Sequence, residues 1–182
     1  MTIERQISMV SHNGNTIRFI KYPSEEIQII AVKESKDAIQ WISNPSKKVQ
    51  LAAVNKNGSA IQWINEPSEE VQLAAVNQDG DAIRWINNPT EKIQLAAVQN
   101  DGFAIRWISN PSEEIKIAAV KQSGSAVRLI KDASEELKKI AIQQDKNALK
   151  KPDFEELKKS LGLDNYPIPK NETKKIKPKM KK

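Results

Sequence analysis

Six side chains recur every 22 residues: Arg18, Gln40, Gln62, Arg84, Arg106 and Arg128. Each precedes a bulky neighbour, in order Phe19, Trp41, Trp63, Trp85, Trp107 and Leu129. A guanidinium or amide can hydrogen-bond a peptide backbone or a base edge, and an indole can stack on either. A second file keeps the same period: Gln6, Gln28, Gln50, Gln72, Gln94, Lys116 and Lys138. One polar reader per repeat could pair with a peptide backbone or with one nucleotide each.

Both files also have a purely structural reading. A polar residue that breaks an apolar helix faces solvent, and its stem covers apolar surface. Neighbouring arginines in such a file, about 8–10 Å apart, repel by only about 0.4 kcal/mol in water, so the fold tolerates them. Phe19 and Leu129 replace Trp at the ends of the aromatic file, so that position needs bulk rather than an indole. The first expectation is therefore that the rings fill the seam between repeats. An exposed aromatic ladder is the alternative.

Catalytic chemistry finds little support. The chain has no Cys and one His, which removes thiol chemistry and leaves no metal-ligand set. His12 occupies a surface turn position and reads as a solvated side chain. No nucleophile and base recur together. Each Gly is singly spaced, so there is no phosphate-binding loop. The expectation is no enzyme, no metal and no cofactor.

The elements that carry these files follow from the repeat. The period runs unbroken from residue 2 to residue 147, with Pro23, Pro45, Pro67, Pro89 and Pro111 in one phase and Gly14, Gly58, Gly80, Gly102 and Gly124 in another. Ser24, Ser46, Ser68, Thr90, Ser112 and Ser134, with Thr2, are helix N-caps. The acids after most of them suit the helix dipole. Each longer helix is expected to end at Gly in a left-handed cap. A short helix of about two turns follows in AIRWI, with Asp or Ser just ahead of it as N-cap. It stops at an extended residue before Pro. The longer helix is apolar on several sides, as Ile93, Leu95, Ala96, Ala97 and Val98 illustrate, and must be sandwiched between neighbouring repeats.

This predicts an all-α solenoid of 22-residue two-helix repeats over residues 1–163. The repeats lie near 16–37, 38–59, 60–81, 82–103, 104–125 and 126–147, with half-repeat caps at 1–15 and 148–163. Polar replacements at Arg5, Ser8 and Lys139 fit capped ends and a monomer. Residues 164–182 read as a Lys-rich tail. Residues 1–147 balance at 18 basic and 18 acidic side chains, whereas residues 148–182 hold 11 Lys against 5 acids and carry the whole net charge of +6. A neutral body weakens the case for a general polyanion binder. No signal-peptide layout and no apolar run of about 20 residues is present, so a cytoplasmic protein with no membrane partner is expected.

The AIRWINNPTEKIQLAAVQNDG pattern resembles the leucine-rich repeat variant family, within the broader HEAT-like α-solenoids. It is also similar to bacterial Ala-Val-rich short helical repeats of unknown function. The resemblance covers residues 2–147. It implies a right-handed superhelix in which the short AIxWI segment can be 3₁₀ rather than α, and it implies no catalytic residues. The chain departs from the family in repeat length, in the Trp file and in lacking Cys for a metal cluster.

The functional expectation is a non-enzymatic module binding a protein or peptide along a repeat surface, with the Arg/Gln and Trp files and Gln72 and Gln94 as candidate binding residues. The alternatives are a nucleic-acid binder using the Arg/Gln file and the tail, and a structural subunit of a larger assembly.

Overall fold

The computed structural model describes residues 1–149. The expected cap beyond residue 149 and the Lys-rich tail lie outside the described residues. Within them, seven ten-residue α-helices alternate with six 3₁₀ helices, and there is no strand. The α-helices are α1 (Ile3–His12), α2 (Glu25–Glu34), α3 (Lys47–Lys56), α4 (Glu69–Gln78), α5 (Glu91–Asn100), α6 (Glu113–Gln122) and α7 (Glu135–Gln144). The 3₁₀ helices are η1 (Gly14–Phe19), η2 (Ala38–Trp41), η3 (Gly58–Trp63), η4 (Gly80–Trp85), η5 (Gly102–Trp107) and η6 (Gly124–Leu129). Each α-helix packs on the next and consecutive 3₁₀ helices pack on one another, so the chain is an α-solenoid with two adjoining ladders. No helix among the described residues is long and apolar enough to cross a membrane.

The core lies between the ladders. In the central repeats it takes Ile93, Ala97 and Val98 from α5, and Ala104, Ile105 and Ile108 from η5 and its end, all buried. The same positions are buried in neighbouring repeats. A 3₁₀ helix turns every three residues. That period puts Gly80, Ile83 and Ile86 on the buried side and leaves Asp81 and Arg84 on the open side. The Arg/Gln file faces outward for this reason. Arg5, Ser8 and Lys139 are exposed.

Most N-caps form as expected. The hydroxyls of Ser24, Ser46, Ser112 and Ser134 accept from the N–H three residues on, at 3.2–3.4 Å. Ser68 and Thr90 keep the extended cap backbone without that bond.

Three local expectations are corrected. The glycines do not form left-handed C-caps. The α-helices end one residue earlier, at extended residues such as Asn57, Asp79 and Asp101, and the glycine opens the 3₁₀ helix. Glycine is required there by close approach: a Cβ on Gly80 would lie 2.7 Å from the carbonyl oxygen of Ala97 in the next repeat. The expected Asp N-cap just ahead of the AIxWI segment is found at Asp37 of η2, without a side-chain bond, but not in η3, η4 and η5. Asn57, Asp79 and Asp101 cap those three, each accepting from the N–H two residues on at 2.9–3.1 Å.

The third correction concerns the corner before Pro. Asn44, Glu66, Asn88 and Asn110 take φ of 49°, 48°, 50° and 58°, so they are left-handed, not extended. Left-handed φ in a side-chain-bearing residue is tolerated best by Asn and Asp. Three of the four positions carry Asn.

Candidate functional site

The tryptophans are not sealed in the seam. Trp41, Trp63, Trp85 and Trp107 are 43–47% exposed, with Phe19 and Leu129 open at either end. The expectation of ring packing is therefore corrected in part: one side of each ring packs and the other faces solvent. A 3₁₀ period explains it, because each Trp sits beside the outward position rather than opposite it.

The Arg/Gln file lies against these rings. The Arg18 guanidinium is 4.6 Å from the Phe19 ring and 5.7 Å from Trp41 in the next repeat. Arg84 repeats the arrangement at 4.9 Å from Trp85 and 5.7 Å from Trp107. Arg106 lies 5.3 Å from Trp107 and also pairs with Asp81 of the preceding repeat. The same Asp81 accepts the Trp107 indole N–H at 3.0 Å. Arg128 donates to the backbone carbonyls of Ala148 and Asn147 at 2.6 and 2.8 Å.

Gln40 and Gln62 occupy this file in the two repeats between Arg18 and Arg84. The Gln62 amide turns back to the Ser59 carbonyl at 3.0 Å. Beside each Gln a cleft opens between successive repeats. One, of about 820 Å³, is lined by Gln62, Asn65, Glu66, Pro67, Gln72 and Trp85 among others. The other, of about 550 Å³, is lined by the residues 22 positions earlier, including Gln40, Asn44, Pro45, Gln50 and Trp63. Among the described residues, Asp81, Phe103 and Ser125 and their equivalents share the open side of the 3₁₀ ladder with the Arg/Gln file.

The second file is placed differently from the expectation of a solvated face. Gln28, Gln50, Gln72 and Gln94 are half-buried. Each amide donates to the carbonyl of the Pro five residues earlier, at 2.8–2.9 Å. They hold the corner, and Gln50 and Gln72 line the two clefts. Gln6 makes a longer bond to the Met1 carbonyl at 3.4 Å. Lys116 and Lys138 instead pair with Glu113 and Glu135. His12 is exposed at the end of α1, rather than in a turn.

Asp81 was missed in the sequence because its partners lie 25 and 26 residues ahead, a spacing longer than one repeat. Also missed was the file that ends each α-helix. The side chains of Gln78, Asn100 and Gln122 accept from the N–H groups of Gly58, Gly80 and Gly102 one repeat back, Asn100 at 2.9 Å and Gln122 at 2.7 Å. Among the described residues no group of His, Asp and Glu is placed to hold a metal ion.

No protein-family model, curated protein or solved structure matches the chain. The fold itself defines the class: a helical-repeat protein of 22-residue α/3₁₀ units.

Proposed function

We propose that the protein is a non-enzymatic interaction module that binds a protein or peptide segment along its 3₁₀ face. The observation that carries this reading is the row of half-exposed tryptophans beside two adjacent clefts that repeat at the period of the chain. Aromatic side chains with an open face give large contact area at low entropic cost, which is what such interfaces use. The clefts add amides that can meet a peptide backbone, from Asn65, Gln40 and Gln62.

Nucleic acid is the second reading, favoured by the alternation of Arg and aromatic rings. It is weakened by how the cations are used. Arg18 and Arg84 lie over rings, Arg106 pairs with Asp81, and Arg128 serves backbone carbonyls. Binding of a polyanion needs several cations aimed at phosphates, and the face offers few. The pairing of an α-helix with a 3₁₀ helix supports the likeness to leucine-rich repeat variants over HEAT repeats, which pair α-helices. The reading carries with it a cytoplasmic monomer without enzymatic activity.

Affinity capture of the full chain from native lysate, with and without nuclease, tests the partner class. The expected result is a polypeptide retained after nuclease. Loss of all retained material on nuclease treatment would favour nucleic acid.

A further inference from the structure

The arginines of this chain mark what fits between its rings. Arg18 occupies the space between Phe19 and Trp41, and Arg84 the space between Trp85 and Trp107. The two spaces between them, Trp41 to Trp63 and Trp63 to Trp85, carry Gln40 and Gln62, and among the described residues no cation lies over these rings from within them. The two clefts open beside them, one lined by Gln40 and Trp63 and the other by Gln62 and Trp85.

Charge at the Gln62 slot favours a cation from outside, and the Gln40 slot is uncharged. Asp81 pairs with Arg106, 25 residues later. The same register earlier in the chain pairs Asp37 with Gln62, so the acid is kept and the arginine is absent. Asp37 makes no ion pair among the described residues, and neither does Glu66, which lines the larger cleft. Among the described residues no Lys or Arg lines either cleft. Among the described residues the indole N–H groups of Trp63 and Trp85, unlike that of Trp107, have no hydrogen-bond partner.

Resting on the peptide-binding reading above, we propose that the two slots flanking Trp63 receive arginine side chains of a partner peptide, which complete the alternation of guanidinium and ring that the protein's own arginines build on either side. Arginine suits the slots better than lysine because its planar guanidinium stacks on an indole face while still donating to a carboxylate. The slots lie one repeat apart, roughly 8–10 Å for packed helical elements. In a polyproline II strand, residues i and i+3 share a side and stand about 9 Å apart. The recognised pattern is therefore two arginines separated by two residues.

The test titrates the full chain with a proline-rich peptide carrying Arg-Pro-Pro-Arg, followed by tryptophan fluorescence and calorimetry at fixed salt. The control peptide replaces both arginines with citrulline, which keeps the shape and removes the charge. The key variant is Gln62→Arg, which supplies the guanidinium from within. Citrulline replacement should weaken binding by at least about tenfold, the size of one well-desolvated cation–π contact. Gln62→Arg should weaken it by a similar factor, with a melting temperature equal to or above that of the parent.

Equal binding of the citrulline peptide, unchanged binding to Gln62→Arg, or no binding of the arginine peptide would each overturn the slots. A peptide copying residues 170–182 that binds as tightly as the arginine peptide would overturn them in favour of the chain's own lysines. A single-stranded oligonucleotide whose binding is strengthened by Gln62→Arg would overturn them in favour of nucleic acid. A nuclease-resistant polypeptide whose capture is insensitive to Gln62→Arg would remove the slots and leave the peptide-binding reading standing.

Discussion

Gly80 and Ala97 belong to successive repeats, and the α-carbon of the first lies so close to the carbonyl of the second that a single added methyl would stand 2.7 Å from its oxygen. Gly80→Ala should therefore destabilise the protein by about 1–3 kcal/mol, the usual cost of forcing atoms into a packed contact. A left-handed glycine would accept Asn at little cost. Here Gly80→Asn should be at least as damaging as Gly80→Ala, and urea unfolding of the two variants distinguishes the explanations.

Glu66 holds φ at 48°, where its three equivalents are Asn. Replacing it with Asn should stabilise the chain by a few tenths to about 1 kcal/mol, because Asn relieves part of the left-handed penalty. Asn88→Val should cost more than Glu66→Asn gains. A thermal melt in which Glu66→Asn falls below the parent would mean that the carboxylate does more for the fold than its geometry indicates.

Trp85 and Ile83 sit two residues apart on η4, one 43% exposed and the other 2%. Complete burial of an aromatic ring costs about 3–5 kcal/mol on truncation, so Trp85→Ala should cost about half of that. Ile83→Ala should cost about 2–5 kcal/mol in spite of its smaller side chain. Trp85→Ala should also abolish peptide binding, and the Ile83 variant should bind in proportion to its folded fraction. Equal destabilisation by the two would return Trp85 to the core.

Ser46 donates to the Glu25 carboxylate across one repeat at 2.6 Å, and Lys48 lies 3.5 Å from it. The serine bond is the largest cause holding the Glu25 carboxyl below its ordinary value of 4.5; burial opposes it, and Lys48 adds to the lowering. A carboxyl depressed in the folded state adds stability above its unfolded value and loses it as pH falls through the folded value. Ser46→Ala should move the Glu25 titration up towards 4.5 and flatten its share of the acid-side stability loss. Carboxyl-carbon NMR titration reads the shift directly, and an unmoved midpoint would exclude the serine as its main cause.

The punctuation of the chain was legible because Ser, Pro and apolar spacing act locally: the caps at Ser24, Ser46, Ser112 and Ser134, the ten-residue helices and the buried Ile–Ala–Val positions all follow from it. What failed to follow depends on neighbours. Gly80 looks like a helix stop from its own surroundings, and only the Ala97 carbonyl reveals why a side chain is forbidden. The pre-proline rule speaks of extended backbone, yet Asn88 turns left-handed to bring the chain round the corner. At the site, residue types located the Arg/Gln and Trp files. They could not reveal that Gln72 and Gln94 hold Pro carbonyls, nor that Asp81 reaches Arg106, because neither partner falls on the repeat spacing in the way a pattern search expects.

The bonds from Gly58, Gly80 and Gly102 to the side chains that end the following α-helices mean that these three units do not finish their own hydrogen bonding. Each of the three is closed by its successor through a side-chain amide oxygen. Excision of one period, residues 60–81 for instance, would bring Gly58 to the Asn100 amide in place of Gln78, although Ser59 would then stand where Asp81 meets Arg106; removing one residue more or fewer would strand a donor at the seam. The molecule thus behaves as a graduated ruler. Its length changes only in whole units, and the positions it offers along its 3₁₀ face advance by the same quantum.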